Sequence, residues 1–197
     1  MMNGCPRWSF LMVPLLAALG CSDPVPRPPQ GNLVLSIQPP MGTGVCMVSG
    51  KTYALGNPTP PTVGPPAKPG DRLIDGEHGA TIKCSVHGAG PATFSGTIKG
   101  ITKDSEANRV SLIITNGIIN ADKMTGTATL AVNTTQLPNT LTSDANACTI
   151  TVVGDNVKPG SLWATATCPN IKDPSAPGSA CSVGPITNFV LENCDGS

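Results

Sequence analysis

Short runs of alternating apolar and polar residues recur along the chain from residue 33 onward. Alternation with a period of two is typical of β-strands that bury one face. The pattern predicts nine or ten short strands, with runs at 33–37, 45–48, 52–55, 80–86, 93–99, 110–115, 125–134, 148–152, 162–168 and 186–194. Runs with helical periodicity are missing after residue 20. The sequence therefore predicts an all-β protein, an antiparallel β-sandwich of jelly-roll-like type.

Two stretches rich in turn-forming residues interrupt this pattern. Asn116-Gly117 lies between apolar runs, and both residues tolerate the positive φ of a type I′ turn, so the pair predicts a hairpin with its returning strand at 118–119. Segment 57–70 has prolines at 58, 60, 61, 65, 66 and 69. Because proline has no N–H to donate to a sheet, we expect 57–70 to be a long exposed loop.

The first residues have the character of a secretion signal. Arg7 precedes an apolar run at 8–19, which is shorter than the about 20 residues needed to cross a bilayer as a helix. The run ends in Ala18-Leu19-Gly20-Cys21, which resembles the lipobox of bacterial lipoproteins, with alanine where leucine is usual. The resemblance implies that residues 1–20 are removed and that Cys21 is lipidated. The same small residues suit an ordinary signal-peptide cleavage site, which leaves a secreted protein as the alternative.

Cysteine parity favours the lipidated form. Seven of the eight cysteines remain after cleavage before Cys21, and an odd cysteine is a liability in a secreted protein. If Cys21 is lipidated, the other six can all pair. Ser22 at the next position favours outer-membrane sorting by the enterobacterial rule. We therefore expect a cell-envelope lipoprotein with a lipidated, proline-rich tether at 21–31 and a single domain at 32–197.

The six remaining cysteines are expected to form structural disulfides, because a secreted chain matures in an oxidising compartment. Spacing alone does not select the pairing. Cys168 and Cys181 flank a predicted loop at 169–178, so we predict a Cys168–Cys181 bridge across the mouth of a hairpin. We further predict Cys46–Cys84 across the proline-rich loop and Cys148–Cys194 to hold the last strand.

The composition excludes several classes of function. Charged residues make up only 12% of the chain and the formal net charge is +0, so no basic surface is predicted for nucleic acid. Gly-x-Ser-x-Gly and Ser-x-x-Lys motifs are missing, and neither of the two histidines has an evident serine and aspartate context. The sequence therefore predicts neither an enzyme nor a cofactor.

The densest polar cluster is a glycine-flanked segment with Asp71, Asp75, Glu77 and His78. Carboxylates at such spacing can hold Ca²⁺ through their oxygens. The spacing does not match the Asp-x-Asp-x-Asp-Gly pattern, and Arg72 opposes a cation. We therefore expect a solvated loop between strands, with metal binding as the weaker alternative.

Trp163 is the candidate ligand-binding residue, because few aromatic residues remain after processing and exposed aromatics form the usual glycan platforms of β-sandwich modules. Two orientations are open. We expect Trp163 to be a core tryptophan, with Leu162 and Ala164 facing outward. The alternative, with Trp163 exposed among polar neighbours, favours glycan or peptide binding.

The C-terminal part also resembles uncharacterised lipoproteins of myxobacteria and their relatives. The resemblance rests on Gly160-Ser161-Leu162-Trp163-Ala164, Cys168-Pro169, Cys181 and the segment 189–194. That group has no assigned activity, so the resemblance implies a location and no mechanism. The sequence predicts a lipid-anchored envelope protein of structural or protein-interaction type, with the membrane and an envelope protein or glycan as partners. A surface module that binds glycan or peptide is the alternative.

Overall fold

The domain is built of β-strands. The computed structural model describes residues 25–42, 44–56, 72–102 and 105–196, and no membrane-spanning helix is found within these ranges. The strands are β1 (Gln30–Gln38), β2 (Lys51–Leu55), β3 (Leu73–Ile74), β4 (Thr81–Gly88), β5 (Ala92–Thr102), β6 (Ser105–Ile119), β7 (Thr125–Thr134), β8 (Leu141–Ser143), β9 (Cys148–Lys158), β10 (Ser161–Asp173), β11 (Ala176–Val183) and β12 (Asn188–Glu192). The predicted all-β class is confirmed. Cys21 and the proline-rich segment 57–70 lie outside the described residues.

One antiparallel sheet contains all of these strands. Its order is β11-β1-β12-β10-β8-β7-β6-β5-β4, with β9 pairing both β7 and β10, and with β2 and β3 pairing β1. Strands β4 to β7 form a meander in which each strand pairs with the next one in sequence. The alternation of β5 and β7 is the predicted one, with apolar residues or glycine inward and mostly threonine, serine or lysine outward.

The sheet folds over itself into a sandwich-like pair of layers, and the hydrophobic core lies between them. The rings of Phe94 on β5 and Phe189 on β12 stack across this core with their centroids 6.4 Å apart. Gly96 allows the close approach, because a Cβ at this position would lie 3.1 Å from the Leu191 side chain. The meander therefore packs against the layer of β1 and β12 through apolar contacts.

The three disulfides are present, but each predicted pairing is wrong. The bridges are Cys46–Cys181, Cys84–Cys194 and Cys148–Cys168. Cys168 and Cys181 do lie on adjacent strands, but the β10–β11 register shifts between Cys168 and Ile171 and places Cys168 opposite Val183. Sheet register, which spacing along the chain does not reveal, therefore decides the pairing.

The observed bridges follow strand neighbours. Cys148 begins β9 and lies beside Cys168 in the middle of β10, next to the Thr149–Thr167 pair, with Cα atoms 4.3 Å apart. Cys46 reaches Cys181 because Val45 forms an isolated bridge to Ser179. This bridge is also all that remains of the strand predicted at 45–48, since residues 47–50 form a turn. The loop predicted at 169–178 is mostly strand, because β10 continues to Asp173 and β11 begins at Ala176.

Asn116-Gly117 forms a β-bulge and not the predicted hairpin turn. Strand β6 continues through both residues to Ile119, and its register shifts against β5 and against β7 at this point. Asn116 has the expected left-handed backbone, with φ 51°. Gly117 leaves room for the core, because a Cβ here would lie 2.6 Å from the Phe94 ring. The local signal for positive φ was correct, but a bulge uses it as well as a turn does.

Candidate functional site

Trp163 lies on the outer face of β10, so the expected core orientation is wrong. Leu162 and Ala164 on either side of it are buried, at 0% and 1% exposure. The physical reason is the register with β12, which places Leu162 opposite Leu191 and Ala164 opposite Phe189, both core residues. Trp163 itself is half-buried.

Four side chains from neighbouring elements form what we call the Trp163 cluster: Trp163, Glu192, Arg72 and Gln30. The indole Nε1 of Trp163 donates to Glu192 Oε1 at 3.0 Å. The other carboxylate oxygen, Oε2, accepts from Arg72 Nε at 3.2 Å and from Gln30 Nε2 at 2.9 Å. The Arg72 guanidinium carbon lies 5.4 Å from the centre of the Trp163 ring, a cation–π distance.

The Trp163 cluster is closed to a ligand. The side chains of Arg72 and Glu192 are only 7% and 17% exposed. Both carboxylate oxygens and the indole N–H already have partners, and the guanidinium lies over the ring. The arrangement therefore fastens β1, β12 and β10 to the segment that leads into β3, and it does not present the open aromatic face that a sugar needs.

The candidate metal ligands do not converge in the described residues. Asp71 lies outside them. Asp75 Oδ1 accepts the N–H of Ile82 at 2.8 Å, which closes the turn that leads into β4. Glu77 and His78 are exposed on this turn. Among the residues that the structure describes, no group of three His, Cys, Asp or Glu side chains is placed to hold a metal ion.

A groove of about 510 Å³ opens on the outer face of the meander, beside the bulge of β6. We call it the Asn116 groove; its lining is Ser85, Thr93, Phe94, Ser95, Asn116, Gly117, Ile118 and Asn146. The hydroxyls of Ser85 and Ser95 lie 2.9 Å apart on its wall. Asn116 and Asn146 both have left-handed backbones, with φ 51° and 53°. None of the lining side chains is titratable.

The groove continues into a line of outward residues that crosses the sheet. Successive registers place Thr93 opposite Ile118, Ile118 opposite Thr127, Thr127 opposite Thr149, and Thr149 opposite Thr167. We call these five residues the cross-strand row. Ile118 is 44% exposed. The alternation along their strands puts Thr93, Thr127 and Thr149 on polar faces, but the alignment of the row depends on registers that the bulge shifts.

A second groove, of about 650 Å³, lies beside β8 and the turn between β10 and β11. Its carboxylates have local partners. Asp173 is buried and accepts from Ser175 Oγ at 2.7 Å and from Asn139 Nδ2 at 2.8 Å. These hydrogen bonds hold the pKa of Asp173 below its usual 3.8, because they favour the charged form. Asp144 lies 4.0 Å from Lys172 in an exposed pair. The carboxylates of this groove therefore bind local partners and stabilise the turn.

Comparison with protein-family models, with curated proteins and with solved structures finds no match for this chain.

Proposed function

We propose that the protein is a lipid-anchored cell-envelope protein of structural or protein-interaction type, without catalytic activity. The observation that carries the proposal is the cysteine pairing. All six cysteines after residue 21 are paired with one another. In a chain that begins at Cys21, that cysteine is then the single one left for lipidation, and the disulfides suit an oxidising compartment outside the cytoplasm.

The start of the domain suits a short tether. The N–H of Asp75 donates to the carbonyl of Pro29 at 2.9 Å, and Asn193 Nδ2 donates to the carbonyl of Pro28 at 3.3 Å. The predicted tether of 21–31 overlaps β1, which begins at Gln30. If the tether consists of residues 21–27, its seven residues reach at most about 25 Å when fully extended. An anchored domain would therefore stay close to the membrane surface.

The proposal includes no catalytic role, because the chemistry-bearing side chains of the residues that the structure describes are apart. The two histidines lie at opposite ends of β4, with His78 on the exposed turn before it and His87 near its end. The carboxylates of Asp75, Asp173 and Glu192 are each engaged in hydrogen bonds that fasten strands or turns.

Intact mass spectrometry tests the anchor. The full chain is expressed in a Gram-negative bacterium, extracted from membranes, and weighed with and without reduction. We expect a chain that begins at Cys21, carries acyl groups and gains six hydrogens on reduction. Cys21→Ser should abolish the acyl mass, whereas Cys5→Ser, in the predicted signal peptide, should leave it unchanged. A non-acylated mature chain would instead support a secreted protein.

A surface module that binds glycan or peptide is the second candidate function. The observation that favours it is the Asn116 groove, which is open and bordered by hydroxyl and amide groups. Trp163, which the sequence offered as the candidate ligand-binding residue if exposed, is engaged in its own cluster. A ligand-binding role would therefore belong to the Asn116 groove and not to Trp163.

A further inference from the structure

The Asn116 groove has the chemistry of a site for uncharged hydroxyl groups. Asn116 and Asn146 each have an amide that can donate and accept, and Ser85, Ser95 and Thr93 add hydroxyls that can do either. Groups with both capacities suit a ligand that also donates and accepts, as the hydroxyls of a sugar do. The lining offers no charge to pair with a charged ligand.

The bulge increases the polar capacity of the groove. Between the pairs Thr115–Thr129 and Ile118–Thr127, the β6–β7 ladder is interrupted, and the β5–β6 ladder shifts at the same point. A bulge leaves backbone groups outside the regular ladder and turns neighbouring side chains to a new direction. Here the side chain turned to the surface is the Asn116 amide, held by its left-handed backbone.

Ile118 supplies an apolar surface between polar neighbours. It is 44% exposed, and Thr93 and Thr127 flank it on the adjacent strands. An exposed aliphatic side chain between hydroxyls can pack against the C–H face of a sugar ring while the hydroxyls bind its edges.

The cross-strand row extends the polar surface beyond the groove. It runs over five strands, and strands are spaced by about 4.8 Å, so the row extends about 19 Å from Thr93 to Thr167. A short sugar would fill only the groove, whereas an extended chain could follow the row from the groove across the sheet.

From these observations we propose that the Asn116 groove and the cross-strand row bind a neutral, extended polysaccharide chain. The inference deepens the second candidate function and does not depend on the lipid anchor. A peptide fits less well. Extended peptides usually bind by adding a strand to a free sheet edge, and this site lies on a sheet face where β5, β6 and β7 are paired on both sides.

The test uses the full mature chain in mild detergent, applied to an array of neutral and acidic glycans and to an array of random peptides. We expect binding to neutral polysaccharide fragments that strengthens with fragment length. Two variants probe the site. Asn116→Gly keeps a residue that accepts positive φ and removes the amide, and Thr127→Val keeps the β-branched shape and removes one hydroxyl. The loss of one net hydrogen bond predicts about tenfold weaker binding for the first and about threefold for the second.

Matched controls separate a local effect from a general one. His78→Gly changes a left-handed residue, with φ 48°, on the exposed turn before β4, and Thr52→Val changes an exposed strand threonine on β2. Both should bind as the unmodified protein does, and circular dichroism should show all four variants folded. Binding to acidic glycans or peptides alone, no binding to neutral glycans, or unchanged binding in both site variants would each overturn the proposal.

Discussion

The Trp163 cluster and the Asn116 groove are both polar surfaces on the outside of one sheet, yet they are built in opposite ways. In the cluster, one carboxylate binds the indole, the guanidinium and the glutamine amide, and each of these comes from a different element. In the groove, the polar groups are neutral and lie on the surface beside an exposed isoleucine. The hydrogen-bonding groups of the cluster bind one another inside the protein, whereas many of the polar groups of the groove are available to a ligand.

This difference shows why residue type alone is a poor guide to a binding site. Tryptophan and arginine are enriched at interfaces, and by that criterion the cluster would be the site. The number of existing hydrogen-bond partners instead favours the groove. A group that already has its partners gains little by binding a ligand, because it must first be released from them. The asparagines, serines and threonines of the groove are commoner residue types, and they lose fewer internal hydrogen bonds when they bind a ligand.

Among the variants proposed, the largest effect is expected for the disulfide that links the two regions. Cys84 is next to Ser85 of the groove, and Cys194 is two residues after Glu192 of the cluster. The double variant Cys84→Ala/Cys194→Ala opens a loop with a sequence separation of 110, for which the chain-entropy model predicts a loss of about 5 kcal/mol. Cys148→Ala/Cys168→Ala, with a separation of 20, should lose about 3 kcal/mol. Urea denaturation measures both, and equal losses would contradict the loop-length argument.

Glu192→Ala should break the cluster with the next largest effect. The substitution leaves the Arg72 guanidinium, whose side chain is 7% exposed, without its carboxylate and removes the acceptor of the indole N–H. Removal of one partner from a buried pair predicts a loss of about 3 kcal/mol in the free energy of unfolding. Asp144→Asn is the matched control, because it removes the carboxylate of an exposed pair and should cost less than about 0.5 kcal/mol. Similar losses of unfolding free energy in the two variants would show that the cluster does not stabilise the fold.

Gly117→Ala should disturb the groove from beneath. An added Cβ would lie 2.6 Å from the Phe94 ring and 2.6 Å from the Phe94 carbonyl oxygen, so the strand or the ring must move. Overpacking of this kind predicts a loss of about 2 kcal/mol in thermal or urea unfolding. Gly178→Ala is the control, since a Cβ at that position meets no atom within 4 Å. A Gly117→Ala protein as stable as the control would mean that the bulge adapts freely.

The sequence predicted the strands well and the positions between them poorly, for a physical reason. The alternation at 125–134 coincides with β7, because side-chain period and burial are local properties of a strand. The disulfide partners, the orientation of Trp163 and the line of the cross-strand row depend on register, which is a property of two strands together. Asn116-Gly117 illustrates both kinds of property. The residue types predicted the positive φ at Asn116, whereas the register with the neighbouring strands determined that the pair forms a bulge and not a hairpin turn.

Low pH should destabilise the turns held by Asp173 and Asp122 and leave the groove unaffected. The side-chain hydroxyl of Ser175 and the amide of Asn139 lower the pKa of Asp173 from its usual 3.8. Backbone N–H groups of Met124 and Thr125 lower the pKa of Asp122 in the same direction. A carboxyl whose pKa is lower in the folded state stabilises the protein above its unfolded pKa, and this contribution is lost as the pH falls through the folded value.

The Asp173→Asn variant measures this contribution. Its deficit in unfolding free energy, relative to the unmodified protein, should be largest near neutral pH and should shrink as the pH falls below 3.8. The control is Asn116→Gly, whose deficit should not change with pH, because the groove has no titratable lining. A deficit for Asp173→Asn that stays constant through the acid range would show that the turn is not held by the charged carboxylate.

The smallest effect on stability is expected for Asn116→Gly itself, and it sharpens the comparison most. Asn116 holds φ 51°, a conformation that glycine adopts without strain, so the free energy of unfolding should change by less than about 1 kcal/mol. Asn116→Val should cost more, because a β-branched residue is strained at positive φ. If both variants were as destabilised as Glu192→Ala, the Asn116 amide would be a structural fastening like the carboxylate of the cluster. A stable Asn116→Gly protein means that the fold does not need this amide, which leaves it available for a ligand.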